Sequence, residues 1–245
     1  MLSILIFFII IGIGSFIQAF SGFALGLIII GLTAVFAPVS IAVAASSIAI
    51  LTIINGLSVL YWSYRSIHGR IALLLSVGLL PGTLGGLFLL QHLEDTSPQV
   101  LRSIIAVTML GTGVVLLVRT HPWKRVIAGP LSLLVGFFGG ILGGLFATPG
   151  PPLVYYLYRQ PLSSATIRTT LIAVFVMVAG GRTLYEMLLG RLTTEVLLLS
   201  LAAVPIVFVT AWLGERLSAH TSSFMLYRFS TILLIVLGTM LLISN

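Results

Sequence analysis

The stretch that decides the fold runs from Gly136 to Pro152 and reads GFFGGILGGLFATPGPP. It lies inside an apolar run at 127–157. Its prolines, Pro149, Pro151 and Pro152, lack N–H donors and their rings clash with a preceding helical turn, so a regular helix cannot continue through them. One interpretation is a long tilted helix followed by a surface loop. We favour a broken or re-entrant segment, whose bare backbone survives in a membrane only where it is packed in protein or lines a cavity.

A similar stretch opens the chain. Residues 2–36 are apolar almost throughout, and one helix over them would be about 50 Å long, too long for a single crossing. Gln18, Ser21, Gly22 and Gly26 interrupt this run near its middle. We therefore expect the first segment to be broken as well. Since no basic region precedes it, we interpret it as a retained membrane segment and not as a signal peptide.

The two unusual stretches occupy matching positions in two halves of the chain. Gly12–Gly26 aligns with Gly136–Gly150 at an offset of 124, and Pro81 aligns with Pro205 at the same offset. Each match is weak alone, but their common order predicts a duplication, which is typical of transporters. We assign the first repeat to residues 1–120 and the second to 126–245.

Composition places the chain in a membrane. Of its 245 residues, 59% are hydrophobic and 7% are charged, and a soluble domain of this size could not cover its surface with so little polar material. The sequence predicts an all-α polytopic membrane protein with about eight hydrophobic segments, each near the ~20 residues that cross a bilayer. These segments run approximately over 2–36, 39–64, 70–92, 98–118, 127–157, 162–188, 194–214 and 222–243.

Charge bears on topology. The chain has twelve basic and five acidic residues. The basic residues are scattered between apolar runs, which indicates orientation in a membrane and not nucleic-acid binding. If all eight segments cross, the basic residues divide seven to five between the two sides. If the first segment of each half re-enters without crossing, they divide nine to three and the halves are inverted. The sharper asymmetry favours an inverted repeat, with 65–70 and 119–125 in the cytoplasm.

Several kinds of chemistry are not expected. The chain has no cysteine, and its four histidines show no metal-ligand spacing. Neither a phosphate-binding loop nor a zinc-protease or nucleophile-elbow motif is present. We therefore expect no enzyme activity, no metal and no cofactor. Arg182 and Glu186 are four residues apart, as are Arg191 and Glu195, which suggests ordinary helical pairs at a membrane edge.

Arg168 is the most informative charged residue. It lies near the start of a helix predicted to begin around Ser163, where the macrodipole disfavours a cation. A bound anion would reverse that preference, so we expect half of an anion site there. The alternative is that Arg168 reaches a lipid headgroup. Neutral polar or flexible residues near the breaks complete the candidate substrate-binding set: Thr169, Thr170, Gln18, Ser21, Gly22, Thr148, Gly150, Ser46 and Ser47.

These patterns resemble a known family. Two series of residues resemble the sulfite exporter TauE/SafE family, also called the 4-toluene sulfonate uptake permease family. The first series is Gly12, Gln18, Ser21-Gly22-Phe23 and Gly26, and the second is Gly136, Gly139-Gly140, Gly143-Gly144 and Pro149–Pro152. The resemblance covers nearly the whole chain. It implies a multi-pass carrier of the bacterial inner membrane for sulfite, sulfonates or related small anions. Departures at Ser15 and Phe16, and the lack of an arginine opposite Arg168 in the first half, imply an asymmetric site.

Two functions stay open on sequence alone. The first is an anion carrier, with its site where the two broken segments face each other near the membrane midplane. The second is a membrane scaffold or accessory subunit without transport of its own. The partners we expect are a small anionic substrate and the lipid bilayer, with no nucleic acid, and a homodimer is left open.

Overall fold

The computed structural model describes residues 2–21, 25–36, 38–117, 123–218 and 223–243, and these residues form ten α-helices and a 3₁₀ turn at Tyr64–Ser66. The helices are α1 (Leu2–Ser21), α2 (Leu25–Phe36), α3 (Ile41–Ser63), α4 (Gly69–Thr96), α5 (Pro98–Leu117), α6 (Pro130–Phe146), α7 (Gly150–Tyr158), α8 (Ser164–Leu188), α9 (Thr194–Ser218) and α10 (Ser223–Ile243).

The predicted all-helical, multi-pass class is confirmed. Five of the described helices, α3, α4, α5, α8 and α9, are long and apolar enough to cross a membrane. The apolar parts of α1, α2, α6 and α10 that the structure describes are shorter. Because backbone groups in lipid must be satisfied within their own segment, helices are the form that such apolar runs take.

The chain divides into two compact units, each built from both sequence halves. In unit 1, α1 packs on α9, and in unit 2, α6 packs on α4. In both units the first helix of one half therefore packs on the Pro-containing helix of the other half, which is α9 with Pro205 or α4 with Pro81. Unit 1 comprises Met1–Ile48, Gln91–Val118 and Thr194–Asn245, and unit 2 comprises Ala49–Leu90 and Arg119–Thr193.

The stretch at 127–157 forms two helices that fold back on each other. α6 ends at Phe146 and α7 begins at Gly150. A Cβ placed on Gly139 would lie 2.1 Å from the Leu153 side chain, although in one continuous helix these residues would be about 21 Å apart. We call α6 and α7 together the hairpin, and residues 147–149 between them the break.

The first stretch has a comparable arrangement in unit 1. α1 ends at Ser21 and α2 begins at Leu25, and the predicted site residue Gly22 lies outside the described residues. A Cβ on Gly14 would lie 2.7 Å from Ile29, whereas a continuous helix would separate the two by about 22 Å. α2 therefore packs alongside α1 and does not extend it.

The hairpin is held against α4 by a contact between two glycine rows, and we call this the glycine contact. A Cβ on Gly82 would lie 2.2 Å from the Phe137 carbonyl oxygen, and one on Gly140 would lie 2.4 Å from that of Leu79. The two backbones therefore touch directly, as small residues allow between membrane helices. The rows, each with a spacing of four, are Gly78, Gly82 and Gly86 on α4 and Gly136, Gly140 and Gly144 on α6.

We predict that Gly82→Ala lowers the melting temperature of the purified protein, because the new methyl group meets backbone that cannot move aside. Overpacking of this kind costs about 1–3 kcal/mol. Gly85→Ala on the same helix is the matched control, since a Cβ there meets nothing within 4 Å. Thermal unfolding followed by tryptophan fluorescence measures both variants. A Gly82→Ala protein that melts at or above the wild-type temperature would contradict the glycine contact.

Candidate functional site at the break between α6 and α7

The break is buried and ends α6 by local backbone geometry. Ala147 adopts the left-handed conformation, with φ 55° and ψ 21°, and Pro149 two residues later cannot continue a helix. A left-handed residue commonly follows the last turn of a helix, where glycine is the usual choice. Ala147 and Thr148 are only 6% and 3% exposed, so this helix end lies inside protein.

Side chains bond two of the four carbonyl groups at the carboxyl end of α6. The last four carbonyl groups of a helix have no partner within it. The Thr148 hydroxyl donates to the Phe146 carbonyl at 3.2 Å, and the Arg182 Nη1 donates to the Gly144 carbonyl. The predicted site residue Thr148 therefore also has a structural role, as its hydrogen is directed to the end of the helix that it follows.

The amino end of α7 lies next to the carboxyl end of α6. Pro149, Pro151 and Pro152 have no N–H, and the Leu153 N–H is the first that can bond within the helix, so Gly150 has the one backbone N–H of this end that the helix leaves unpaired. This amide and the positive end of the helix dipole favour a negative charge. The buried residues Thr148 and Gly150 are thus brought together at one place, as their spacing suggested.

Arg168 lies on α8 and not in the hairpin. It is exposed in the first turns of α8, near Tyr158, the last residue of α7. Further along α8, Val178 contacts the position of Gly143 beside the break. Ten residues of helix separate Arg168 from Val178, which is about 15 Å. Arg168 and the break therefore lie at different levels along α8.

The two threonines beside Arg168 point into protein. Thr169 is 5% exposed and Thr170 is fully buried. The Thr170 hydroxyl accepts a hydrogen bond of 3.0 Å from the backbone N–H of His68, just before α4. Thr170 therefore joins α8 to the turn that precedes α4, a connection between distant segments that the sequence did not indicate.

The remaining candidates belong to unit 1. Gln18 is half-buried near the end of α1, and Ser46 and Ser47 are buried in α3. The Ser46 hydroxyl donates to the Ala42 carbonyl at 2.9 Å, which is the local bond that such groups often make in membrane helices. The side chain of Ser21 and the whole of Gly22 lie outside what the structure describes.

The predicted pair of Arg182 and Glu186 forms, and it is buried. Nη2 lies 2.9 Å from Oε1, and Arg182 and Glu186 are 0% and 6% exposed. The Arg182 side chain points toward α6, where its Nη1 donates to the Gly144 carbonyl. The prediction for the other pair is wrong, because Arg191 lies before α9 and does not share a helix with Glu195.

The open end of the hairpin is closed by a polar network. The Gln160 side chain accepts from the Ile127 N–H and donates to the Ile127 carbonyl, both at 2.9 Å, and the Tyr156 hydroxyl also donates to that carbonyl. The Trp123 N–H donates to the Arg159 carbonyl at 2.7 Å. The chain therefore leaves α7 next to the segment from which it entered α6.

Comparison with known proteins assigns the chain to a family. The family model for the sulfite exporter TauE/SafE matches residues 6–241. The chain belongs to the sulfite exporter TauE/SafE family. It is 30% identical over 206 residues to the probable sulfite/organosulfonate exporter TauE of Cupriavidus necator, covering 84% of this chain and 80% of that protein. No solved structure matches the chain significantly.

Family membership settles the class of function. TauE/SafE proteins are membrane transporters and not an enzyme family, so the predicted transporter class and the multi-pass membrane placement are confirmed. In the part of the chain that the structure describes, no three histidine or acidic side chains are grouped to hold a metal ion.

Charge is divided very unevenly between the two units of this TauE/SafE protein. The ranges of unit 2 contain nine of the twelve basic residues and a single acidic one, Glu186. The ranges of unit 1 contain three basic and four acidic residues. The hairpin therefore belongs to the unit whose sequence ranges carry the net positive charge.

We predict that Ala147→Gly raises the melting temperature, because a left-handed alanine costs about 1–2 kcal/mol that glycine avoids. Gly190→Ala should have the opposite effect, since Gly190 has φ 65° in the turn after α8 and a Cβ there meets no other atom. Differential scanning fluorimetry of both variants tests the pair. If Ala147→Gly melts below the wild type, the left-handed end assigned to α6 is incorrect.

Proposed function

We propose that this protein carries small sulfur-containing anions, such as sulfite or organosulfonates, across the bacterial inner membrane. The observation that carries the proposal is the buried amino end of α7, where the Gly150 amide and the positive end of the helix dipole lie at the break. A positive potential and free backbone amides are what a desolvated oxyanion requires. The similarity to a probable sulfite/organosulfonate exporter supports the sulfur oxyanion class.

We place the anion at the break, on the Gly150 amide and the Thr148 hydroxyl. The hydroxyl can accept one hydrogen bond while it donates another, so its contact with Phe146 leaves room for a role in binding. Arg168, ten residues before Val178 on α8, takes the anion at the open end of the hairpin, where its planar fork suits a sulfonate or sulfite. Gln18, Ser21 and Gly22 occupy the position in the first half that matches the break, and we keep them as candidate substrate-binding residues.

We also propose that the hairpin enters and leaves on one side of the membrane, so that the two halves are inverted. The hydrogen bonds between Gln160 and Ile127 and between Trp123 and Arg159 support it, since they join the two ends of the hairpin. In unit 1, α2 likewise packs alongside α1. An inverted repeat of this kind is common among secondary transporters, whose interrupted helices mark the binding site.

We expect the purified chain alone, in liposomes, to move radiolabelled sulfite at a rate well above that of empty liposomes. Arg168→Ala should raise the KM about 10- to 100-fold, because a hydrogen bond to a charged group is worth about 1.5–3 kcal/mol. Arg168→Lys, which keeps the charge and loses the fork, should raise it less. The matched control is Arg191→Ala, since Arg191 is also exposed but lies before α9.

The outcomes separate the competing interpretations. Absence of flux for sulfite and a panel of sulfonates, from protein that is folded by its melting curve, would favour an accessory subunit. Normal flux with an unchanged KM in Arg168→Ala would make Arg168 a lipid anchor and leave the carrier function intact.

The inverted topology predicts a labelling pattern that the cysteine-free chain makes simple to measure. Single cysteines at the exposed positions Lys124 and Ser164, before and after the hairpin, should react with an impermeant maleimide from the same side of the membrane. A cysteine at Arg191, beyond α8, should react from the other side. Labelling of Lys124→Cys and Ser164→Cys from opposite sides would mean that the hairpin crosses the membrane.

A further inference from the structure

The most unusual charged group in the described residues is Arg182. Its side chain is fully buried, and it forms an ion pair of 2.9 Å with Glu186, one turn further along α8. Glu186 is the only acidic residue within the sequence ranges of unit 2. Burying such a pair costs several kcal/mol of desolvation per ion, and it stabilises little by itself. The sequence places this pair where ordinary apolar side chains would pack at lower cost.

The position of the pair explains why it is kept. Arg182 Nη1 donates to the Gly144 carbonyl, one of the last four of α6. That helix end is buried, so water cannot satisfy its carbonyl groups, and a carboxyl end carries a partial negative charge that a cation stabilises. Thr148 satisfies the Phe146 carbonyl but cannot neutralise the dipole. The buried Arg182 guanidinium bonds a carbonyl group and also brings a positive charge to the negative end of the helix dipole.

Glu186 determines where the guanidinium lies. The contact between Nη2 and Oε1 leaves Nη1 directed at Gly144, so two nitrogens of one planar group join α8 to the end of α6. The carboxylate also offsets the charge that Arg182 brings into the interior. With the negative end of α6 neutralised, the positive end of α7, on the other side of the break, is free to act on a bound anion.

We propose that Arg182 is the positioning residue of the break. Its guanidinium caps the carboxyl end of α6, Glu186 orients it, and together they hold the amino end of α7 in the geometry that receives an anion. The capping does not depend on what the protein transports. The consequence for anion binding rests on the proposed function, so the two are tested by separate measurements.

Hydrogen–deuterium exchange of the full chain in nanodiscs tests the cap. In Arg182→Met, amides in residues 136–150 should exchange at least about tenfold faster, since a charge-assisted hydrogen bond is lost from the helix end. Arg182→Lys, which keeps the cation, should restore most of the protection. Glu186→Gln keeps the shape and removes the charge, and it should give an intermediate rate. Arg191→Met is the matched control and should exchange like the wild type.

The location of the change distinguishes a cap from a general loss of stability. Peptides from α5, in unit 1, should be unaffected in every variant. Equal exchange in 136–150 for Arg182→Met and wild type overturns the proposal, as does a rise that Arg182→Lys does not reverse. If Arg182→Met fails to fold, Arg182→Lys and Glu186→Gln decide the matter, and wild-type exchange rates in both would overturn the cap.

Sulfite flux in liposomes tests the consequence for function. Arg182→Met should lower the maximal rate at least about tenfold, with partial recovery in Arg182→Lys, because the break no longer holds one geometry. A wild-type protein that moves no sulfite would contradict the proposed substrate and leave the exchange result to decide the cap. An uncapped break with an unchanged flux would mean that the cap does not position the site.

Discussion

The structure of unit 2 depends on one constraint, that a helix ending inside a membrane protein leaves carbonyl groups which water cannot reach. An unsatisfied group there costs several kcal/mol. At the end of α6, the Thr148 hydroxyl and the Arg182 guanidinium donate hydrogen bonds to two of these carbonyl groups. With these groups bonded, the chain can turn, begin α7 at Gly150 and return. The break, the hairpin and the candidate site all follow from this solution.

The glycine contact and the bond from Arg182 both depend on Gly144. Gly144 presents its carbonyl to Arg182 and its Cα to α4, where a Cβ would lie 2.3 Å from the Thr83 carbonyl oxygen. A residue with a side chain at this position would displace α4. Glycine is therefore needed at Gly144 for close approach, and not for an unusual backbone angle, since only Gly190 among the described glycines has a positive φ.

Much of the architecture could be predicted because it depends on local chemistry. Three prolines within residues 149–152 remove three N–H donors and prevent one regular helix from running through the stretch, and the apolar run lengths indicate membrane helices. The environment of Arg182 could not be predicted, because a spacing of four from Glu186 looks the same on a surface and in a core. The level of Arg168 relative to Gly150 depends on how α8 is placed along α6, which no local pattern encodes. Ala147 was missed because the left-handed conformation is expected at glycine.

The glycine contact has a mechanical consequence. Side chains between two helices can change rotamer and let the helices slide, but here backbone meets backbone and nothing lies between them that could rearrange. Sliding by one residue would bring Phe137 or Leu79 into the other helix. α4 and α6 therefore move together as one rigid element. The hydrogen bond from the His68 N–H to Thr170 joins α8 to the start of α4, so a displacement of α8 is passed to α4 and through the glycine contact to α6.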